Sequence, residues 1–365
     1  MRIAFTHAFS WPEVRRGAER FIQELGAALV ERGHDVTILS AGWEAGTTEL
    51  DGVRTVRLQR HREEEIGHEA DFGRRVLPRL VLGRYDAVHS MGRRDAVASI
   101  RAARVHPRRR TVFTDLGYPS REWWDPQGRE GRAIERVVAG IDVYSCMSQW
   151  ALDWLARDHG RTDGVVVPGG VDLRVMRPAS ERTPEPTLLY SGVISEPRKG
   201  VATLLEALPL IAESEPGVRL WLSGPGDPTD LLAAAPAEAR ARTEALGTGD
   251  PDRQPERYGR AWATCLPSIS DSFGMALIES LGCGTPLVVT THGAPQELVN
   301  AGANGEICEP GDAASLANAC LRAIDLARRP ATVETCRDSV ARFDWRGGIA
   351  PLVEGLYAGV RTGSR

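Results

Sequence analysis

Arg2-Ile-Ala-Phe-Thr6, then Gly17-Ala-Glu-Arg-Phe21-Ile-Gln-Glu-Leu25-Gly-Ala-Ala-Leu29-Val-Glu-Arg-Gly33, then Asp35-Val-Thr-Ile-Leu-Ser40, is the stretch from which the fold is read. The first run is short and apolar and reads as a buried strand. A loop ends at Gly17, after which Phe21, Leu25 and Leu29 recur at the spacing that lines one stripe of a helix. Gly33 stops that helix, because glycine takes up the left-handed backbone of a helix end without steric cost. A second strand over Asp35 to Ser40 completes a βαβ unit, a crossover that lays two parallel strands in one sheet.

Outward from this unit the alternation continues. Strands are expected at Val53 to Leu58, Ala87 to Ser90, Thr111 to Thr114, Val143 to Met147 and Val165 to Val167. The turn-rich stretch Arg177 to Thr187, with Pro178, Pro184 and Pro186, reads as a linker or hinge. A second series follows at Leu188 to Ser191, Arg219 to Ser223, Thr264 to Pro267 and Leu287 to Thr290. The expected fold class is α/β, with Rossmann-like domains over residues 1–171 and 172–345. A C-terminal helix (Gly348 to Val360) within 346–365 is expected to cross back to the first domain. Open α/β sheets bind ligands beyond the carboxyl ends of their strands, so a cleft between the domains, closing over its ligand, is the expected site.

The 365 residues are too many for one ordinary core, and 42% apolar with 26% charged side chains excludes a disordered or fibrous chain. With 45 basic and 49 acidic side chains the net charge is -4, so no global positive field exists to hold nucleic acid or an acidic membrane. The run Arg108-Arg109-Arg110 is a short local basic patch, and membrane contact is expected to be peripheral at most. The six cysteines show no two-residue spacing and sit mostly in apolar runs, which reads as buried reduced thiols. The chain opens on a strand with no charged-then-apolar leader, and no apolar stretch approaches the roughly 20 residues that span a bilayer. A cytoplasmic protein is expected.

Of the 45 basic residues, only Lys199 is a lysine. A codon bias toward arginine accounts for the excess without bearing on function. Against that background a solitary ammonium points to a place where a compact point charge fits and a planar fork does not. Its context is Gly192-Val-Ile-Ser-Glu196-Pro-Arg198-Lys199-Gly200, which puts two adjacent cations at a strand's carboxyl end, suited to a diphosphate that gains charge on leaving. The second segment runs Pro267-Ser-Ile-Ser-Asp271-Ser272-Phe273-Gly274-Met275 and on to Glu279. A helix starting near Phe273 offers free amides and a positive dipole end to a phosphate. Glu279 lies about two turns in, where a carboxylate accepts both hydrogen bonds of a vicinal diol, and Asp271 sits at the mouth. The alternative is that both acids are solvated and the glycines only punctuate helix and turn.

These segments resemble the family 4 glycosyltransferases of GT-B fold, which include the phosphatidylinositol mannosyltransferases and sucrose synthase. Asp271 and Glu279, with seven residues between them, match the family's acid pair, and Glu196 to Gly200 match its basic loop. The first βαβ unit resembles its glycine loop. Pro168-Gly-Gly-Val-Asp172, Ser223-Gly224-Pro-Gly226-Asp227 and Gly293-Ala-Pro-Gln-Glu297 extend the likeness over nearly the whole chain. The resemblance implies retaining transfer of a hexose-type sugar from a UDP- or GDP-linked donor to an acceptor hydroxyl, with no metal and no other cofactor. It assigns Asp271, Lys199 and Arg198 to catalysis, and Glu279, Ser272, Phe273, Gly274, Met275, Gly192 and Gly224 to the donor. Arg16 and Gly17 fall in a loop close to phosphate and acceptor, and Asp115 and His7 are placed to touch a sugar. Partners are thus a nucleotide sugar and a small-molecule, lipid or glycan acceptor.

Three positions depart from the family pattern. Arg16 stands where a glycine is usual, Val193 where an arginine is usual, and Asp115 and Leu116 about where a histidine is usual. Arg16 or Arg198 is expected to supply the missing charge. A degenerate nucleotide-sugar-binding protein is the alternative function, with Asp115 as a turn residue and His7 as a structural histidine. Trp123 and Trp124 either stack on a ligand or cover the domain. A nicotinamide oxidoreductase fits poorly, since Thr229 stands where a third glycine belongs after Gly224 and Gly226. A pyridoxal enzyme using the only lysine is the remaining rival.

Overall fold

The computed structural model describes residues 1–61, 65–123, 125, 127–248 and 251–359. They form two compact units, one of Met1–Gly170 with the segment from Trp345 onward, the other of Val171–Asp344. The first unit carries strands β1 (Arg2–Thr6), β2 (Asp35–Gly42), β3 (Gly46–Leu50), β4 (Val53–Gln59), β5 (Ala87–Ser90), β6 (Arg110–Asp115), β7 (Val143–Cys146) and β8 (Val165–Val166). Their order across the sheet is β3-β4-β2-β1-β5-β6-β7-β8. All neighbours are parallel except β3 and β4. Central β1 is buried on both faces through Ile3, Ala4 and Phe5, as a helix-covered parallel sheet requires. The helix Gly17–Glu31 turns Phe21, Ile22, Leu25 and Leu29 into that core, and Gly33 ends it with a φ of 87°.

The sequence reading missed β3. All five of its residues are exposed, so no apolar alternation marks it. Its signal is the turn: Asp51 and Gly52 have φ of 51° and 74°, and an Asp-Gly pair is the usual two-residue hairpin connection.

The C-terminal segment packs on the first unit as a wide turn, Trp345–Ile349, followed by the helix Ala350–Ala358. The expected helix began inside that turn, and its end at Val360 lies outside the described residues. Trp345 stacks edge-on against Phe21 at 5.4 Å and donates its indole N–H to Glu24 at 2.7 Å. Gly170 is bare because a Cβ there would collide with the Trp345 indole. Glu354 is held by Arg32 and His34, each at 2.7 Å.

The second unit carries β9 (Thr187–Ser191), β10 (Arg219–Ser223), β11 (Thr243–Gly247), β12 (Ala263–Leu266), β13 (Leu287–Thr290) and β14 (Gly305–Cys308). The order β11-β10-β9-β12-β13-β14 is parallel throughout. It reverses direction between β9 and β12, the switch point at which open α/β sheets take ligands beyond the strand ends.

Two expectations need correction. Arg177 to Thr187 is not the linker: the chain leaves the first unit at Gly170 and returns at Trp345, and the proline-rich stretch lies inside the second unit. It is fastened there by Arg182, which donates to the Gly284 carbonyl at 2.9 Å and to the Ala261 carbonyl. Trp262 donates to the Thr183 carbonyl at 2.9 Å. Prolines here stiffen a packed extended segment. Nor is Arg108-Arg109-Arg110 a basic surface patch throughout: Arg108 is exposed, but the other two turn inward. Arg109 is buried and donates to the carbonyls of Leu80 and Gly83, both at 2.6 Å, while Arg110 donates to the Leu356 carbonyl. Among the described residues no helix is long and apolar enough to cross a membrane. All six cysteines are buried and unbridged.

Candidate active site

The loops leaving β9 and β12 are bonded to each other. After β9 the chain turns through Pro197–Lys199 and reverses at Gly200, whose φ is 72°. A Cβ at Gly200 would collide with the Pro267 carbonyl, so only glycine lets the loops meet. The Ile269 N–H then donates to the Arg198 carbonyl at 2.9 Å. This close approach brings the side chains together. Lys199 Nζ lies 2.7 Å and Arg198 Nη1 3.0 Å from the same oxygen, Oδ1 of Asp271. Arg198 also donates to the Ser270 carbonyl at 2.8 Å and pairs with Glu196 at 2.9 Å. Burial works against the Asp271 charge, but Lys199, then the Ser268 hydroxyl and Arg198, outweigh it and hold the carboxyl below its usual value. The lone lysine of the chain is thus 15% exposed and turned into the site.

Beyond Asp271, Ser272 and buried Phe273 lead to Gly274, with a φ of 110°, and the helix Met275–Gly282. Gly274 offers no side-chain cap to the first amides of that helix, which leaves its tip open to an anion. On the other side the Ala294 N–H grips the Asp271 carbonyl at 2.9 Å. Glu279, inside the helix, is nearly fully buried and accepts the Tyr258 hydroxyl at 3.1 Å. That hydroxyl also meets Ser191 Oγ at 2.9 Å, and Gln254 ties Ser191 to Ser223 and Arg257. The Tyr258 phenol is pushed far up by burial and by the Glu279 charge. Sequence reasoning missed Gln254, Arg257 and Tyr258, since their helix, Gln254–Arg260, is too short to show a period. Gly192 and Gly224 lace the ends of β9 and β10 together: Gly192 N–H donates to the Ser223 carbonyl at 2.9 Å, and a Cβ on Gly224 would strike the Gly192 carbonyl. Val193 is partly exposed and contributes no charge.

The remaining candidates belong to the first unit. Arg16 pairs with Glu19 at 2.7 Å, and its guanidinium lies over the Phe9 ring at 4.8 Å. Glu19 is buried. Burial opposes its charge, but the neighbouring His7 imidazole and the Arg16 guanidinium bonded to it hold its carboxyl at about 2. His7 Nε2 is 3.4 Å from Glu19. Asp115 is engaged on both oxygens, by Tyr144 and by the Gly117 N–H, each at 3.0 Å, which is the geometry of a turn residue. The side chain of Trp123 and all of Trp124 lie outside the described residues.

Gly17 starts its helix with ordinary backbone angles available, and a Cβ there would meet nothing within 4 Å. Gly17→Ala is therefore expected to fold at least as stably as wild type. If a substrate approaches this loop, kcat/KM drops all the same. A melt and a kinetic assay on one preparation separate the two effects, and unchanged kinetics would remove Gly17 from the site.

Asp95, beneath β1 and β5, accepts the Thr6 hydroxyl at 2.5 Å. Burial pushes its carboxyl up to about 7 despite the pull of Thr6 and His7. The unfolded chain loses this proton near pH 3.9, so the folded state binds more protons between about pH 4 and 7 and stability falls as pH rises through that window. Wild type is expected to lose more melting temperature from pH 5 to pH 8 than Asp95→Asn does. Parallel pH profiles would contradict the assignment.

Paired cations and an uncapped helix tip thus stand together at the switch point of the second sheet, a place suited to an anionic ligand. Family profiles described as Glycosyl transferases group 1 and Glycosyltransferase Family 4 match residues 185–325 and 15–175. The chain belongs to the family 4 glycosyltransferases of GT-B fold. Phosphatidyl-myo-inositol mannosyltransferase of Mycobacterium leprae is 29% identical over 234 residues, 62% of this chain and 61% of that protein. The Mycobacterium tuberculosis protein of the same name is 26% identical over 373 residues, 94% of this chain and 93% of its own. Among solved structures, sucrose-phosphate synthase from Thermosynechococcus elongatus superposes with a TM-score of 0.80 at 23% identity, covering 98% of each chain. Anabaena HepE in complex with UDP-glucose superposes with a TM-score of 0.77 at 18% identity, covering 98% of this chain and 100% of its own.

Proposed function

We propose that the protein is a retaining hexosyltransferase that moves a sugar from a UDP- or GDP-linked donor to an acceptor hydroxyl without a metal. The observation that carries this is the convergence of Lys199 and Arg198 on Asp271 at the ends of β9 and β12. In the ligand-free chain the two cations are neutralised by Asp271 and Glu196. A diphosphate takes over their N–H groups together with the amides from Phe273 to Met275, and frees Asp271 to accept from sugar hydroxyls. As the bond from the anomeric carbon to the β-phosphate oxygen breaks and the acceptor oxygen bonds that carbon, the phosphate gains charge and the hydroxyl proton. Lys199 and Arg198 stabilise that charge, the task a divalent ion performs elsewhere.

Glu279, held by Tyr258, receives the ribose diol, and Gly192 and Gly224 give the nucleotide backbone-close access. The UDP-glucose bound to HepE supports this donor class, and family membership supports retention. Arg198 supplies the charge absent at Val193. The first unit takes the acceptor, a small molecule, lipid or glycan, with Arg16, Gly17 and His7 near it. Asp115 orients its own turn. The buried, unbridged thiols suit the cytoplasm.

The test is a thermal-shift and hydrolysis screen with UDP, GDP and their sugars, with and without EDTA. A nucleotide at 100 times its Kd adds about 2.7 kcal/mol of stability, and EDTA is expected to change neither binding nor turnover. No shift with any nucleoside diphosphate would sink the reading.

A further inference from the structure

The carboxyl end of the first sheet carries a pocket of about 360 Å³ lined by Pro12, Glu13, Trp43, Glu44 and Arg57. It is assembled by the loops after β1 and β2 together with strand β4. Trp43 follows Gly42, the last residue of β2, and is 52% exposed, an unusual position for the largest apolar side chain. Its indole is braced by the Arg60 guanidinium, 4.6 Å from the ring centre, while the Arg60 N–H donates to the Gly42 carbonyl at 2.6 Å. Gly42 gives the neighbouring side chains room. A Cβ would stand 2.8 Å from a Glu13 carboxylate oxygen and 3.1 Å from the Arg57 stem, so the missing side chain lets both residues close on the pocket floor. Even so, the side chains of Glu13, Glu44 and Arg57 make no hydrogen bond or ion pair among the described residues.

A flat apolar ring beside two carboxylates and one guanidinium that are unpaired among the described residues has a definite chemical complement. A pyranose lays its C–H face on an indole, gives its hydroxyl protons to carboxylates and accepts from a guanidinium. The volume is within the range of small-ligand sites. The sign of the lining matters as well: Glu13 and Glu44 are matched by Arg57 and by the Arg60 guanidinium already stacked on Trp43, so the pocket offers no net positive charge to hold a phosphate. Resting on the reading of the chain as a hexosyltransferase, we infer that this pocket is its acceptor subsite and takes a neutral pyranoside rather than a phosphorylated headgroup.

The experiment is saturation-transfer NMR on the full chain with methyl α-glucopyranoside, methyl α-mannopyranoside and myo-inositol 1-phosphate. The variants are Trp43→Ala, Trp43→Phe and Glu13→Gln/Glu44→Gln. A neutral glycoside is expected to bind wild type, to bind Trp43→Ala about tenfold more weakly, and to be largely restored by Trp43→Phe. The double glutamine variant weakens the glycoside and strengthens the inositol phosphate. The UDP and GDP thermal shifts stay at the wild-type value in every variant, so a failed nucleotide reading would show there and not here. No transfer to either neutral glycoside, an unchanged signal in Trp43→Ala, or binding of the inositol phosphate alone would each overturn the inference.

Discussion

Lys199→Ala is expected to lower kcat with the nucleotide sugar by about 10²–10³-fold while the protein stays folded. That is the usual loss when one preorganised donor is removed from a charge that develops in the transition state. Stability is spared because Arg198 remains on the same Asp271 oxygen, 3.0 Å away, so the carboxylate is not left bare. Lys199→Arg restores the charge but little of the rate. The space beside Asp271 already holds one guanidinium, and a second planar fork does not fit the position of a compact ammonium. Steady-state kinetics on both variants check this, with folding confirmed by melting. Near-wild-type kcat in Lys199→Ala would take the lysine out of the reaction.

Asp271→Asn is expected to split binding from turnover. In the ligand-free chain its carboxylate is shared by two cations, and it stands where a diphosphate has to come close. Removing one negative charge at about 4 Å from another, with an effective dielectric constant near 20, is worth up to about 4 kcal/mol. UDP or GDP should therefore bind more tightly, by up to about 10³-fold. Turnover should fall about 100-fold, because the acid that orients the donor sugar is gone. The ligand-free protein should also melt earlier, with Arg198 and Lys199 left facing each other. Calorimetric titration of the nucleotide beside initial rates reads both quantities. Joint loss of affinity and rate would mean that Asp271 holds the donor in the ground state.

The parts of this site that could be read in the sequence are those set by local chemistry. A single lysine among 45 basic residues stands out without any structure, and it faces the acid picked from the second segment. The βαβ pattern likewise needs only the spacing of Phe21, Leu25 and Leu29. What stayed hidden depends on distant partners. Tyr258 meets Glu279 across 21 residues, and Gln254 meets Ser191 across 63. No periodicity announces such pairs. Composition also misled twice: three prolines suggested a hinge where Arg182 pins a packed segment, and three arginines suggested a basic surface patch where Arg109 turns in to backbone carbonyls. In both cases a guanidinium satisfying backbone oxygens overrode the local signal. The pocket at Trp43 escaped notice for a similar reason to β3, since Pro12, Glu13, Trp43 and Glu44 alternate neither as strand nor as helix.

The most direct measurement is a crystal structure of the protein with UDP or GDP bound. It should show the β-phosphate within hydrogen-bonding distance of Lys199 Nζ, Arg198 and the amides around Gly274, with the ribose hydroxyls on Glu279. A nucleotide whose phosphates sit away from Lys199, with the Lys199–Asp271 pair still closed at 2.7 Å, would contradict the account.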